Sequence, residues 1–283
     1  MQIPIFWINL ERTHLRRKRM EWALKKGNWI SERFDAIDAA NAKEIFLPIP
    51  NLLKISNKLP GIRRSDEVEP WRKTNRQELA CLASWKRLLM RAKEYSSTWN
   101  LIMEDDLGAS LAIPKAWPIT LQEIIKKAST NTLVIQLAPI SSKARLDLFQ
   151  YWENSQQKKW LIPKRNIKSH GNGAVLINKH AMPYLINYFE RLISKSLPRF
   201  HPLFYPIGTR AVADKWLYAS LPENSCEVLT YPIFCLDAKD SSLHSEHVVN
   251  YHIPSKEVTL KIWEKDERMQ LIEAQRNWDN LNK

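Results

Sequence analysis

Apolar positions along the chain fall into short blocks whose spacing alternates between strand and helix periods. Ile3–Ile8 is a compact apolar run of the kind that forms a buried strand. Residues 14–26 form a strongly basic helix, with Leu15, Met20, Ala23 and Leu24 available to pack inward. Phe34-Asp-Ala-Ile-Asp-Ala39 reads as a second short strand and its exit loop. Residues 45–73 carry Pro48, Pro50, Pro60 and Pro70 and little periodicity, which predicts a long surface excursion of the kind that serves as a lid or a mobile segment. Asn75-Arg-Gln-Glu78 then matches a helix-start capping box, with Asn75 as cap and Glu78 folding back. Leu79, Leu82, Trp85, Leu89 and Ala92 recur at helical spacing behind it.

Trp99–Met103 is a strand that delivers Glu104-Asp105-Asp106 at its carboxyl end, followed by a helix near 119–128 and the strand Thr132–Ala138. The polar stretch 140–170, rich in Lys, Gln and Trp, reads as a variable loop or insertion. Gly173–Ile177 resumes as a strand and 179–195 as a helix; the proline-bearing loop Pro198–Thr209 precedes a helix containing Asp214, and 256–283 reads as one charged helix. Such alternation predicts an α/β domain built on a mixed, mostly parallel sheet flanked by helices. A chain of 283 residues suffices for one large domain with an appendage. The expected division is a catalytic domain at 1–245 and a C-terminal helical extension at 246–283.

Composition narrows the setting. Hydrophobic residues make up 44% of the chain, as in ordinary globular proteins, and no apolar run approaches the roughly 20 residues of a membrane-spanning helix. The opening residues read as a strand and lack the basic region of a signal peptide. Cys81, Cys226 and Cys235 are too widely spaced for a metal-type pair and read as reduced thiols, which points to a cytoplasmic protein. The formal charge of +13 is spread over 12–26, 63–76, 158–168 and 191–199. A positive surface suits nucleic acid, an anionic membrane face or phosphate-bearing substrates, and charge alone does not choose among them.

The acidic triplet is the most informative local feature. Consecutive carboxylates repel one another unless a cation or solvent compensates. Hard divalent cations prefer such oxygen ligands and share them with substrate phosphates. In open α/β sheets, ligands bind beyond the carboxyl ends of strands. The triplet therefore reads either as a metal–diphosphate site or as a solvated acidic turn. Ile8-Asn-Leu-Glu-Arg12, followed by Arg16, Arg17 and Arg19, reads either as a phosphate-facing strand–helix junction or as an amphipathic helix with a basic face. Asp214 reads as a helix cap or a general base. Trp71, Trp152 and Trp160, placed in predicted loops, are the better sugar-stacking candidates among twelve tryptophans, most of which belong to the core. His170 and His201 are loop residues, Cys81 reads as buried packing, and Gly171 and Gly173 suit a tight turn or a close approach to a ligand.

Together these motifs resemble glycosyltransferase family 25, whose members include bacterial lipooligosaccharide galactosyltransferases and procollagen galactosyltransferases. The match runs through Ile8-Asn9-Leu10, Arg12, Arg16, Arg17, Arg19 and Met20, then Phe34-Asp35-Ala36-Ile37-Asp38. It continues through Gln77-Glu78-Leu79-Ala80-Cys81-Leu82-Ala83-Ser84-Trp85, Leu101-Ile102-Met103-Glu104-Asp105-Asp106 and Gly171–Asn178 with Lys179 and Ala181, to Asp214. Their order and spacing over roughly residues 3–245 are more specific than any one element. Gln77 stands where the family has glycine and Trp85 where it has histidine, which weakens the galactose assignment.

The resemblance implies a GT-A-like, Rossmann-type fold and transfer of a hexose, galactose among the options, from a UDP-sugar to a glycan or other hydroxyl acceptor. It implies that Glu104 and Asp106 hold Mn²⁺ or Mg²⁺, that Asn9, Leu10, Arg12, Arg16, Glu104 and Asp105 lie near the donor, and that Asp38 lies near its ribose or base. Asp214 would be the catalytic base of an inverting displacement. Expected partners are a nucleotide sugar, a glycan or lipid-linked acceptor, and peripheral contact with the inner face of an anionic membrane, with no specific nucleic acid. The competing readings are a basic nucleic-acid binder and a degenerate transferase-like scaffold.

Overall fold

The structure is a computed structural model and describes residues 3–40, 76–187, 212–236 and 246–281. The expected excursion at 45–73, the Asn75 cap, Trp71, His201 and the Pro198–Thr209 loop lie outside the described residues, except for Asp214's helix that follows. The chain forms two compact units, one from residues 1–34, 97–179 and 222–283, the other from 35–96 and 180–221.

The first unit carries a seven-stranded sheet. Its strands are β1 (Ile5–Asn9), β2 (Ser31–Asp35), β3 (Trp99–Glu104), β4 (Val134–Gln136), β5 (Leu161–Pro163), β6 (Ala174–Asn178) and β7 (Cys226–Leu229). They lie in the order β2-β1-β3-β6-β4-β7-β5. Strands β1 and β3 pair in parallel, as do β4 and β7, while β6 runs antiparallel to β3 and β4, and β5 antiparallel to β7. The sheet is thus mixed with one dominant direction, and the α/β class expected from the alternation is present.

All five residues of β1 are buried. Ile5 and Trp7 enter the main core with Leu101, Met103, Ala174 and Leu176, while Phe6 and Ile8 are buried outside that cluster. Alternating side chains of one strand reach opposite faces of the sheet, so a continuous apolar run marks a strand covered on both.

Helix α1 (His14–Lys26) buries Arg16, Arg19, Met20, Ala23 and Leu24. These positions form one i, i+3, i+4, i+7, i+8 stripe. Leu15, expected to pack inward, lies off the stripe and is 63% exposed. Two arginines take the places that apolar residues would fill, because each has company: the Arg19 guanidinium sits 4.3 Å from the Trp278 ring centroid, and Arg16 meets carboxylates. Strand β2 begins three residues earlier than expected, leaving Asp38 in the loop that follows.

The 140–170 stretch is part of the fold rather than an insertion. Helix α4 (Ser142–Asn154) is capped by Ser141, whose Oγ accepts from the Ala144 amide at 3.3 Å, and it buries Ala144, Arg145, Leu148, Phe149 and Trp152. Trp152, a proposed sugar platform, is only 3% exposed and packs against Phe149, Tyr231 and Trp160. The polar composition of the segment hid a helix whose inward stripe is only three to four residues per two turns. The preceding short helix α3 (Leu121–Lys127) has a complete capping box between Thr120 and Glu123.

The expected single C-terminal helix is two, α6 (Ile253–Lys265) and α7 (Met269–Asn280). Glu267 at φ 54° breaks the run. Its neighbour Asp266 accepts from Tyr231 Oη at 2.9 Å and from Arg268 Nε at 2.7 Å, which ties the break to the sheet unit. Trp263 and Trp278 are buried, so both helices complete the core of the first unit. No described helix is long and apolar enough to cross a membrane.

In the second unit, helix α2 (Arg76–Ala92) and helix α5 (Ala213–Ala219) pack together. Trp85, at the family's histidine position, is wholly buried on α2, so this side chain is core packing. Gln77 is exposed, and Cys81 is half-buried rather than enclosed. Ser84 Oγ accepts from the Ile37 amide at 2.8 Å and fixes the loop that carries Asp38.

Candidate active site

Strands β1 and β3 lie side by side with Ile8 opposite Glu104, so their carboxyl ends emerge together. Asn9 closes β1, and Asp105 and Asp106 follow β3. The Asn9 carboxamide donates to Asp105 Oδ2 at 2.6 Å and to Thr13 Oγ1 at 2.9 Å, and its oxygen accepts from Arg33 Nη1 at 3.1 Å. Thr13 Oγ1 donates to the Leu10 carbonyl at 2.8 Å, which folds the β1–α1 turn. One turn into α1, Arg16 places Nη1 2.9 Å from Asp105 Oδ1 and Nη2 3.6 Å from Asp106 Oδ2.

Asn9, Arg16, Asp105 and Asp106 are each at most 9% exposed. Ion pairs at this depth contribute stability only when hydrogen bonds satisfy the remaining lone pairs, and Asn9 supplies them to Asp105. The three carboxylates therefore do not share one role. Asp105 is the anchor that ties β3 to β1 and α1. Asp106 Oδ1 is buried with no hydrogen-bond partner among the described residues. Glu104 is half-buried, and its amide donates to the Gly173 carbonyl at 2.8 Å.

An orphaned, enclosed carboxylate oxygen fits a hard cation, whose other ligands would be water and substrate phosphate. Glu104 and Asp106 are the residues that would hold it. Among the described residues there is no cluster of three or more His, Cys, Asp and Glu side chains. One or two carboxylates shared with phosphate oxygens is the usual arrangement for Mg²⁺ at such sites.

The structure brings together Asn9, Arg16, Asp105 and Asp106, with Leu10 half-buried in the turn beside them. Arg12 is exposed in the same turn. Thr13 and Arg33 belong to the constellation but escaped sequence reasoning. The signal for Thr13 was its place four residues after Asn9, where a hydroxyl meets a turn; Arg33 comes from a neighbouring strand and left no local trace.

Asp38 and Asp214 stand in the second unit. Asp38 accepts from the Ala40 amide at 2.9 Å in an Asx turn. Asp214 lies in the first turn of α5, whose N-cap is Val212, and its Oδ1 accepts from the Lys215 amide at 2.9 Å. It is not the capping residue, although a carboxylate there suits the helix dipole. Gly171, at φ +91°, makes a turn that an L side chain rarely adopts, and a Cβ on Gly173 would stand 2.5 Å from Leu107 Cδ1. Both glycines serve close packing beside the triplet.

Residues 2–199 of the 283 match glycosyltransferase family 25 (LPS biosynthesis protein). The chain belongs to this family of glycosyltransferases. Among solved structures it is similar to the crystal structure of mouse xyloside xylosyltransferase 1 in its apo form. That likeness has 7% identity and a TM-score of 0.34 over 76% of this chain and 80% of that one. No curated relative matches the sequence.

Proposed function

We propose that the protein transfers a hexose from a UDP-sugar to a hydroxyl of a glycan or lipid-linked acceptor, with Mn²⁺ or Mg²⁺ held by Glu104 and Asp106. The observation that carries this reading is the division of labour in the triplet. Asp105 is consumed by Asn9 and Arg16, while the neighbouring Asp106 keeps a buried oxygen without a partner. A bound cation would neutralise the departing diphosphate. The chain's own part is to hold that carboxylate rigidly, through the Asn9–Asp105–Arg16 bonds, and to exclude water from it.

Donor turnover tests the reading. UDP-galactose and UDP-glucose, with and without Mn²⁺, should show metal-dependent hydrolysis or transfer. Tight nucleic-acid binding without any donor turnover would replace this reading with the basic-binder one. The +13 charge supports attraction to an anionic inner-membrane face or a phosphorylated acceptor.

Asp214 is the base of this scheme. As the acceptor oxygen bonds to the anomeric carbon, its proton passes to the carboxylate and the bond from that carbon to the diphosphate breaks. A single displacement of this kind inverts the anomeric centre. Asp214→Asn should slow transfer by roughly 10²–10⁴-fold, with UDP-sugar affinity measured by calorimetry unchanged. Donor binding that weakens in proportion would make Asp214 a donor ligand instead.

A further inference from the structure

The site described above leaves one side chain unexplained. Asn172 is 4% exposed, and both its carboxamide oxygen and its nitrogen are buried with no hydrogen-bond partner among the described residues. A buried polar group left unsatisfied is destabilising, and native proteins keep few of them.

Its place is fixed by strand pairing. In the antiparallel β3–β6 pair, Met103 stands opposite Ala174, and the Glu104 amide donates to the Gly173 carbonyl. Asn172 directly precedes Gly173, whose carbonyl takes the Glu104 amide, just as Asp105 directly follows Glu104. This residue therefore borders the acidic triplet at the end of the sheet where ligands bind in α/β folds.

The loop carrying it is pinned. Gln136, buried at the end of β4, donates to the Gly171 carbonyl at 2.6 Å. Lys164 Nζ in turn donates to Gln136 Oε1 at 2.9 Å and to Ser169 Oγ at 2.8 Å. On the other side, the Ile140 amide donates to the His170 carbonyl at 2.8 Å, and the wholly buried Arg145 holds the adjoining Pro139 carbonyl through Nε at 2.8 Å. Burial lowers the Arg145 pKa to about 10, with the charges of Cys235 and then Asp106 opposing the shift. Gln136 of β4, Lys164 at β5's exit and Arg145 of α4 thus fix the backbone that leads to Asn172, and none of them bonds its carboxamide.

The chemistry of the amide selects its ligand. A phosphate oxygen only accepts, and would leave the carboxamide oxygen unpaired beside an anion. A metal cation would take that oxygen and leave the N–H groups unpaired. A sugar hydroxyl both donates and accepts, so neighbouring ring hydroxyls satisfy both ends at once. We propose that Asn172 binds the hydroxyls of the sugar ring being transferred, and that Gln136, Lys164 and Arg145 are positioning residues for it. This assignment rests on the UDP-sugar reading above.

The test compares wild type with Asn172→Ala, using UDP, UDP-galactose and UDP-glucose as probes by calorimetry and thermal shift. Affinity for the UDP-sugar that the wild type prefers should fall by roughly 10-fold or more, the usual cost of losing such hydrogen bonds. Affinity for UDP alone should not change. Without ligand, the variant should melt at the wild-type temperature or above it, because an unpaired buried amide has been removed. Equal loss for UDP and UDP-sugar, or unchanged affinity for both, overturns the proposal. A lower melting temperature with unchanged sugar affinity also overturns it and assigns the amide to an enclosed structural water. Asn172→Ser, smaller but still able to donate and accept, should recover part of the sugar affinity. Wild-type protein that binds UDP but neither sugar overturns this proposal alone, whereas one that binds none of the three overturns the donor reading with it.

Discussion

Asp106→Asn should reduce metal-dependent turnover by on the order of 10³-fold while leaving the fold intact. The substitution keeps the shape of the side chain but removes the negative charge that a hard cation requires. Several kcal/mol of transition-state stabilisation would go with it. The fold should survive because Asp106 is the lesser partner of Arg16, at 3.6 Å, whereas Asp105 is held at 2.9 Å and bonded again by Asn9 at 2.6 Å. Circular dichroism and melting temperature would check the fold, initial rates in Mn²⁺ would check catalysis, and electron paramagnetic resonance of Mn²⁺ would check binding. Near-normal turnover, or Mn²⁺ affinity equal to that of wild type, would remove Asp106 from the metal site.

Arg16→Met should destabilise the protein by about 3–5 kcal/mol, since it leaves Asp105 buried and charged with its cation gone. For a chain of this size that is a fall in melting temperature of roughly 10 °C. Methionine matches the length of the arginine stem, so the loss is assignable to charge rather than to a cavity. The informative partner is Arg16→Met combined with Asp105→Asn. Removing the stranded carboxylate should restore part of the lost stability, and the two substitutions should be strongly non-additive. Arg16→Lys should retain the charge but lose the fork that spans Asp105 and Asp106, giving an intermediate loss. Additive effects would show that the Arg16–Asp105 pair contributes little, and that α1 is held by its other buried contacts.

The linear sequence determined the elements that depend on local pattern. The buried runs at β1 and β3 were legible because strands covered on both faces need apolar residues at every position. The acidic triplet at the end of β3 and the order of motifs that define the family were legible for the same reason: they are local. What failed were readings of segments and single side chains whose burial depends on a partner distant in sequence. Leu15 was expected to pack inward and is exposed, while Arg16, read either as phosphate-facing or as part of a basic outer face, is buried because Asp105, 89 positions on, supplies a counter-charge. The 140–170 stretch looked like loop because its polar residues outnumber the stripe that α4 buries, and only Tyr231 and Trp160 reveal Trp152 as core.

The break between α6 and α7 was invisible for a related reason. Glu267 and Arg268 suit a helix by propensity, and it is Tyr231 that draws Asp266 aside. The triplet shows the division most clearly. The family resemblance set Asp105 apart from Glu104 and Asp106, and the tertiary structure supplies a physical ground for the difference. Asn9 and Arg16 bond Asp105, Gly173 accepts the Glu104 amide, and Asp106 is left with a buried oxygen unpaired. Local pattern decides which segments become strands and helices, because backbone and solvent act over a few residues. The role of a charge is decided by what the fold places within about 3 Å of it, because that contact determines whether its desolvation is compensated.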